Sequence, residues 1–128
     1  MCSKNEAIEI LNEACERCKT VFGELKSAYL YGSYARGDYH SESDVDILLT
    51  VDKSQEQISR CRMAVAEIAS DLSLEYDVTV SISVKSAELF ERYQNVLPFY
   101  QNVIKEGVEY IYTSRRLFAA EFNTSRTG

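Results

Sequence analysis

The sequence predicts a small α+β domain in which helices pack on one face of a short mixed β-sheet. Two segments have apolar residues at helical spacing, and several others have the composition or the alternation of strands. These segments follow one another in the order strand, polar turn, strand, helix, strand, which is typical of this fold class. The 128 residues, 45% hydrophobic and 27% charged, provide one core and are not those of a disordered chain.

Two long helices are indicated by apolar residues that recur every three or four positions. The first helix is predicted from Lys4 to Thr20 and ends near Gly23. Its apolar stripe consists of Ile8, Leu11, Cys15, Cys18 and Phe22. The second helix is predicted from Gln55 to Ser70, with Ser54 as the N-cap of a capping box. Its apolar stripe consists of Ile58, Cys61, Val65, Ile68 and Leu72.

Strands are predicted where aliphatic, aromatic and β-branched residues dominate. The first strand runs from Lys26 to Tyr31, and one helical turn from Ser33 to Arg36 follows it. The second strand runs from Asp44 to Val51 and is apolar after its acidic start. The third runs from Glu75 to Val84, where valine and isoleucine alternate with polar residues, so that one face is buried.

Shorter elements are predicted in the last third of the chain. A short helix covers Ala87 to Tyr93, another helix begins at Pro98, and a short strand covers Val108 to Tyr112. The domain is therefore assigned to residues 1–112. Residues 113–128 lack a clear pattern and are expected to be a poorly ordered tail, or one added during cloning.

The charge balance excludes a general nucleic-acid binder. The chain has 14 lysine and arginine residues against 20 aspartate and glutamate residues, a formal net charge of −6. Because phosphate neutralisation needs a surplus of basic residues, we expect any polyanion to be small or bridged by metal. No stretch has the roughly 18 apolar residues of a membrane span and no signal peptide is evident, so we expect a cytoplasmic protein without a membrane partner.

The four cysteines could bind a metal, form disulfides or be buried in the core. Cys15 and Cys18 form a C-x-x-C pair, but no second pair follows, and His40 is the only histidine. Because both cysteines fall on the apolar stripe of the first helix, we interpret them as buried core residues. We expect them to be reduced, as in cytosolic proteins generally.

Asp44 and Asp46 are the first candidates for a functional site. Residues i and i+2 of a strand project to the same face, so the two carboxylates lie together at the start of a buried strand. Neighbouring carboxylates repel each other unless a cation lies between them, and their oxygens are hard ligands suited to Mg²⁺. Asp77, on the polar side of the third predicted strand, is the candidate third acid, with Glu75 as the alternative. Three carboxylates on adjacent strands can hold two Mg²⁺ ions about 3.5–4 Å apart.

Gly32 and Ser33 follow the first strand and form a candidate phosphate site. A glycine at this point lets the backbone turn sharply and approach a ligand closely. Ser33 starts the predicted helical turn, where backbone N–H groups and a hydroxyl suit phosphate oxygens. Arg36 adds a positive charge that can reach the same phosphates.

The candidate residues form one motif, Gly32-Ser33-x10-Asp44-x-Asp46, with Ala35-Arg36-Gly37 and Ser43 inside it. This motif resembles the signature of the minimal nucleotidyltransferases, a family of the DNA polymerase beta-like nucleotidyltransferase superfamily. The resemblance implies the palm-like α+β fold of that superfamily. It extends from about Ile8 to Tyr112, and the segments 97–100 and 105–107 near its end also match.

The resemblance also implies roles for individual residues, because the matching residues of this family bind Mg²⁺ and a nucleoside triphosphate. The implied catalytic and metal-binding acids are Asp44, Asp46 and Asp77. The implied nucleotide-binding residues are Gly32, Ser33, Arg36 and Ser43. Two Mg²⁺ ions are the implied cofactor, and ATP is the implied substrate.

The implied function is the transfer of AMP to a protein. Many family members are antitoxins paired with a HEPN-domain RNase toxin, which they inactivate by transferring AMP to one of its tyrosines. The chain is too short for the extra domains with which polymerases hold their acceptors, so we expect a partner protein to provide the hydroxyl. Two alternatives stay open: a toxin-binding antitoxin without catalysis, and a nucleotidyltransferase that acts on a small molecule such as an antibiotic.

Overall fold

The computed structural model describes residues 3–113 and 116–119 of the chain. The helices of this described part are α1 Lys4–Phe22, α2 Ser33–Arg36, α3 Gln55–Arg60, α4 Arg62–Tyr76, α5 Ala87–Tyr93 and α6 Pro98–Glu106. Its strands are β1 Leu25–Tyr31, β2 Val45–Val51, β3 Val80–Ser86, β4 Val108–Thr113 and β5 Arg116–Ala119. None of these helices has both the length and the apolar character that crossing a membrane requires.

The strands form one mixed sheet in the order β3-β2-β1-β4-β5. β2 and β3 are parallel, and the other neighbouring strands are antiparallel. The predicted α+β class and mixed sheet are therefore confirmed. Because β1 and β2 are antiparallel neighbours, the end of β1 meets the start of β2, and Tyr31 lies opposite Asp46. This pairing brings the predicted phosphate turn to the predicted acid pair.

The main core lies between the sheet and the helices α1 and α4. Leu30 of β1 and Ile47 of β2 are fully buried there. Cys15 and Cys18 of α1 are free thiols in the same core, as the apolar stripe predicts. Burial raises the pKa of Cys15 to about 12 and that of Cys18 to about 11, so neither thiol is ionised at neutral pH.

The opposite face of the sheet is partly covered by α5 and α6. Phe90 of α5 and Tyr100 and Val103 of α6 form a smaller core with Tyr29 of β1 and Leu48 of β2. The prediction that the helices pack on one face is correct for α1 and α4 but not for α5 and α6. The physical reason is that the central strands are apolar on both faces, so each face must be covered.

The helix predicted from Gln55 to Ser70 differs from the structure in two ways. It is divided at Cys61 into α3 and α4, and α4 continues to Tyr76. The third strand consequently begins at Val80, later than predicted. Its predicted alternation is still present, because Val80 and Val84 belong to the main core.

Part of the segment predicted as a tail belongs to the sheet. In β5, Ala119 pairs with Tyr110 of β4, and Arg116 pairs with Thr113. The pairing provides main-chain hydrogen-bond partners for the outer edge of β4. A strand of four residues is too short to show a clear alternation, so the sequence pattern did not predict β5. The rest of the predicted tail, 114–115 and 120–128, lies outside the described residues.

Candidate active site

Asp44 and Asp46 lie at the start of β2, on the face of the sheet away from α1 and α4. Val45 and Ile47 point into the main core, so the residues that alternate with them face the other side. Asp44 is exposed, whereas Asp46 is half-buried. Burial and then repulsion from Asp44 raise the pKa of Asp46, and the positive charge of Arg36 opposes this shift. The pair therefore concentrates negative charge at a place where a cation would relieve it.

Gly32 makes room for the Asp46 carboxylate. Its backbone has φ 74° and ψ −157°, a combination that is almost confined to glycine. A Cβ atom at this position would overlap Asp46 Oδ2 and lie 3.3 Å from Asp46 Cγ. The conformation and the close approach both support the prediction that this position needs a glycine. The group that approaches it is the side chain of Asp46, whereas the sequence predicted a ligand.

The helical turn α2 forms as predicted and is held by aromatic packing. Tyr34 is buried, and its ring stacks on that of Tyr39 with centroids 4.4 Å apart. The Lys4 Nζ donates a hydrogen bond of 3.3 Å to the carbonyl oxygen of Ala35. Ser33 is the first residue of this anchored turn, next to Gly32. The stacked tyrosines thus fix this turn.

Arg36 is exposed and paired with two carboxylates. Its Nε lies 3.2 Å from Asp38 Oδ2, and its Nη1 lies 3.0 Å from Glu106 Oε2. Exposed ion pairs of this kind are weak, so a more highly charged anion can displace the two carboxylates from Arg36. Arg36 is close enough to Asp46 to lower its pKa, which brings the guanidinium to the edge of the acid pair.

Ser43 is buried and holds the loop before Asp44. Its hydroxyl accepts a hydrogen bond of 2.8 Å from the His40 N–H, and its own N–H donates to the His40 carbonyl oxygen at 3.0 Å. Ser43 thus shapes the approach to the acid pair, and its implied nucleotide-binding role stays a prediction. His40 itself is exposed, and its Nδ1 accepts a hydrogen bond from the Glu42 N–H.

Asp77 does not lie on a strand, and this part of the prediction is wrong. It ends α4 in the left-handed conformation, with φ 53° and ψ 47°, and its N–H donates to the Ser73 carbonyl oxygen. Asp77 is exposed and lines a surface cavity of about 340 Å³ together with Ser43 and Thr79. The alternative, Glu75, lies in α4, where its Oε1 is 3.1 Å from Arg17 Nη2.

Tyr31 is a residue of the site that the sequence analysis did not identify. It is the last residue of β1, directly opposite Asp46, and its phenol is hydrogen-bonded to Ser83 of β3. Burial, and to a smaller extent the charge of Asp46, raises the pKa of Tyr31. The sequence signal that could have identified Tyr31 is its position directly before Gly32, at the end of the strand that pairs with β2.

The donor set of the acid pair fits a divalent cation. Asp44 and Asp46 supply hard oxygen ligands on one face, and Gly32 leaves space beside them. Within residues 3–113 and 116–119, no group of three histidine, cysteine, aspartate or glutamate side chains is arranged to hold a metal ion. The three-carboxylate arrangement expected from the sequence is therefore not formed by the described residues.

The mixed sheet brings the Gly-Ser turn to the Asp-x-Asp pair, which is the arrangement that the resemblance to nucleotidyltransferases implies. The chain matches the family model of the nucleotidyltransferase domain over residues 8–111. A relative from Methanocaldococcus jannaschii, named "Putative protein adenylyltransferase", is 40% identical over 85 residues, which cover 66% of this chain and 77% of that protein. This chain therefore belongs to the nucleotidyltransferase domain family and is a nucleotidyltransferase.

Solved structures at lower identity share the fold. A "putative nucleotidyltransferase" from Sulfolobus solfataricus has a TM-score of 0.60 at 24% identity, with 90% of this chain and 87% of that chain covered. A chain of the toxin-antitoxin MntA-HpeT has a TM-score of 0.51 at 24% identity, covering 90% and 76%. A toxin-antitoxin structure with AMP-PNP has a TM-score of 0.50 at 21% identity, covering 97% and 82%.

Proposed function

We propose that this nucleotidyltransferase transfers AMP from ATP, with Mg²⁺, to a hydroxyl group of a partner protein. We further propose that the partner is a HEPN-domain RNase toxin and that the transfer inactivates it. The observation on which the proposal depends is the contact between Gly32 and Asp46, which joins the phosphate turn to the acid pair. The relative named as a protein adenylyltransferase and the toxin-antitoxin structures support a protein acceptor.

The residues of the site suit this reaction in distinct ways. Asp44 and Asp46 would hold Mg²⁺, which when bound supplies charge to stabilise the triphosphate. Ser33 and the start of α2 offer donors to phosphate oxygens, and Arg36 offers positive charge. The acceptor oxygen forms a bond to the α-phosphorus, the bond to the leaving pyrophosphate breaks, and the hydroxyl proton is released. The acceptor must therefore stand in line with that bond, about 3–3.5 Å from the phosphorus.

An exposed apolar segment beside the site favours a protein acceptor over an antibiotic. Residues 93–99 comprise the end of α5, the connection and the start of α6, and they include several exposed large apolar side chains, namely Tyr93, Val96, Leu97 and Phe99. The ring of Phe99 packs edge-on against Tyr31, with centroids 5.6 Å apart, and Tyr31 lies opposite Asp46. Clusters of exposed apolar residues typically mark protein interaction surfaces. The 93–99 segment is therefore our candidate contact for the acceptor protein.

Charge and cysteine chemistry are consistent with this proposal. The formal net charge of −6 does not favour a nucleic-acid acceptor. The described cysteines, Cys15, Cys18 and Cys61, are free thiols, which fits the proposed cytoplasmic setting.

The direct test mixes the protein with the product of the gene next to its own, ATP and Mg²⁺, and follows the mass of this neighbour. Each transfer should add about 329 Da, the mass of AMP that replaces a hydroxyl proton. Asp46→Asn should abolish the gain. Asp52→Asn, which removes an exposed carboxylate just beyond the other end of β2, should leave it unchanged.

Two other outcomes would support the alternative functions. If Asp46→Asn neutralises the toxin as well as the wild type does, and neither protein changes its mass, the protein is a binding antitoxin without catalysis. If AMP appears on an added aminoglycoside and not on the neighbour, the protein is a small-molecule nucleotidyltransferase.

A further inference from the structure

A polar cavity lies on the same face of the sheet as the acid pair, at the opposite end of β1 and β2. It has a volume of about 400 Å³, and its described lining residues come from β1, β2, β4 and α5. Ser27 and Thr50 line it and pair with each other across β1 and β2. Thr50 follows Asp46 by four residues, which at about 3.3 Å per residue places the two about 13 Å apart. The cavity is therefore separate from the acid pair.

A β-bulge places an exposed lysine beside this cavity. In the register of β1 with β2, Leu25 pairs with Val51 and Ser27 pairs with Thr50. Lys26 is therefore the extra residue of the bulge, and a bulge takes its extra residue out of the regular alternation of side chains. Lys26 consequently lines the cavity together with its neighbour Ser27.

The other polar groups of the cavity are mainly hydrogen-bond acceptors. Glu91 of α5 and Glu109 of β4 contribute two carboxylates, against the one ammonium group of Lys26 among the described lining residues. The hydroxyl groups of Ser27 and Thr50 are hydrogen-bonded to each other. A pair of hydroxyl groups that shares one hydrogen bond still has free lone pairs on its oxygens. The cavity is thus suited to a ligand that is positively charged and donates hydrogen bonds.

A guanidinium group matches this combination better than other charged groups do. It presents five N–H donors and no acceptor in one plane, and it packs on aromatic rings. Tyr29 and Phe90, whose ring centroids are 5.6 Å apart, line the cavity together with the two carboxylates. An ammonium group is more strongly hydrated and has no planar face, and an anion is repelled by the carboxylates.

The 93–99 segment extends from this cavity to the acid pair. Gln94 lines the cavity, and Phe99 at the other end of the segment packs against Tyr31, which lies opposite Asp46. A partner surface that covers the segment therefore reaches both places. The formal net charge of −6 also favours a partner with basic residues.

We propose that the cavity binds an arginine side chain of the acceptor protein and so anchors this protein with its hydroxyl group at the acid pair. The inference rests on the proposed function, because it concerns how that reaction recognises its acceptor. Lys26 competes with the arginine for the carboxylates. Removal of the charge of Glu91 and removal of the charge of Lys26 therefore have opposite effects on acceptor binding.

The first experiment needs neither the acceptor protein nor ATP. The purified full chain is titrated with Nα-acetyl-arginine amide, and nuclear magnetic resonance follows the backbone amides of Ser27, Thr50 and Ala87, which line the cavity. We expect saturable shifts at these residues, and none with Nα-acetyl-citrulline amide, which has a similar shape and no charge. No shift with the arginine probe, or larger shifts with inorganic phosphate, would overturn the proposal.

The second experiment measures AMP transfer to the product of the neighbouring gene. Glu91→Gln should raise the KM for this acceptor by about two- to fivefold at unchanged kcat, as the loss of an exposed ion pair does. Glu88→Gln is the matched control, because it makes the same charge change on α5 at a residue that pairs with Arg92. Lys26→Gln should lower the KM. The proposal is wrong if Glu91→Gln has no more effect than Glu88→Gln, or if Lys26→Gln raises the KM.

The two experiments separate this inference from the proposed function. If AMP is transferred and the charge variants leave the KM for the acceptor unchanged, the inference fails and the proposed function stands. If the arginine probe shifts the residues of the cavity but no AMP reaches the neighbour, the proposed function fails and the guanidinium site stands.

Discussion

The carboxylate of Asp46 lies against the α-carbon of Gly32, so closely that any side chain at position 32 would overlap it. These two residues come from different strands, and the antiparallel pairing of β1 with β2 brings them together. The glycine is therefore required for two reasons, because its φ of 74° is disfavoured for other residues and because the acid occupies the space of a Cβ atom. The position of Asp46 thus explains why residue 32 is a glycine.

Gly32→Ala should disrupt the site, whereas Gly37→Ala should only strain the fold. Gly37 also has a positive φ, 90°, but a Cβ atom there would meet nothing within 4 Å. We expect Gly37→Ala to cost about 1–2 kcal/mol of unfolding free energy, as for a left-handed residue, with Mn²⁺ binding retained. Gly32→Ala should cost more and also weaken Mn²⁺ binding, because Asp46 must move. Chemical denaturation and Mn²⁺ titration measure the two effects, and equal metal affinity in both variants would contradict this explanation.

Asp46→Asn should stabilise the metal-free protein at neutral pH. The pKa of Asp46 is raised by burial and by Asp44, so near that pKa the native state binds more protons than the unfolded chain. Protonated Asp46 therefore contributes stability below its ordinary pKa, and this contribution is lost as the pH rises through the raised pKa. We expect Asp46→Asn to raise the Tm at pH 7, because the neutral amide avoids the cost of a negative charge that is partly buried and lies beside Asp44.

The pH dependence of this difference is the sharper measurement. The gap in Tm between Asp46→Asn and the wild type should close as the pH falls below the raised pKa, because Asp46 is then protonated in both states. Asp52→Asn, which removes an exposed carboxylate directly after β2, is the matched control variant. Added Mg²⁺ should raise the Tm of the wild type alone, and a wild type more stable than Asp46→Asn without metal would contradict the assignment.

The sequence was sufficient for the parts of the site that lie within one segment. Gly32 and Ser33 at a strand end, and the alternation that places Asp44 and Asp46 on one face, follow from local patterns. The alternation of polar and apolar residues begins at Asp77, three residues before β3 begins at Val80. The sequence pattern therefore placed Asp77 on the strand, which is wrong. The α4 helix takes the residues up to Tyr76, and Asp77 adopts the left-handed conformation that ends a helix.

Features that depend on pairing between distant segments were not available from the sequence. Tyr31 belongs to the site only because β1 and β2 are in a register that sets it opposite Asp46. The pairing of Arg36 with Glu106 joins residues seventy positions apart. The second layer formed by α5 and α6 likewise depends on which face of the sheet these short helices meet.

Glu106→Gln should strengthen the binding of an ATP analogue, and Arg36→Gln should weaken it. The side chains of Arg36 and Glu106 are 43% and 41% exposed, so their ion pair is weak and the carboxylate competes with phosphate for the guanidinium. We expect a gain of about two- to threefold in affinity for Glu106→Gln, and a larger loss for Arg36→Gln. Isothermal titration calorimetry measures both. Arg92→Gln, which removes a comparable exposed pair with Glu88, is the control and should have no effect.

Val96→Asp should prevent AMP transfer to the partner protein while leaving nucleotide binding intact. Val96 is 65% exposed in the 93–99 segment, and Phe99 of the same segment contacts Tyr31 beside the acid pair. A carboxylate buried without a partner in a protein interface is strongly unfavourable, so affinity for the partner should fall by about tenfold or more. Leu74→Asp is the matched control, because Leu74 is 80% exposed on α4, which packs on the other face of the sheet. Surface plasmon resonance measures partner binding, and mass spectrometry measures transfer. If both variants lose transfer equally, or if Val96→Asp transfers AMP as well as the wild type does, the acceptor docks elsewhere.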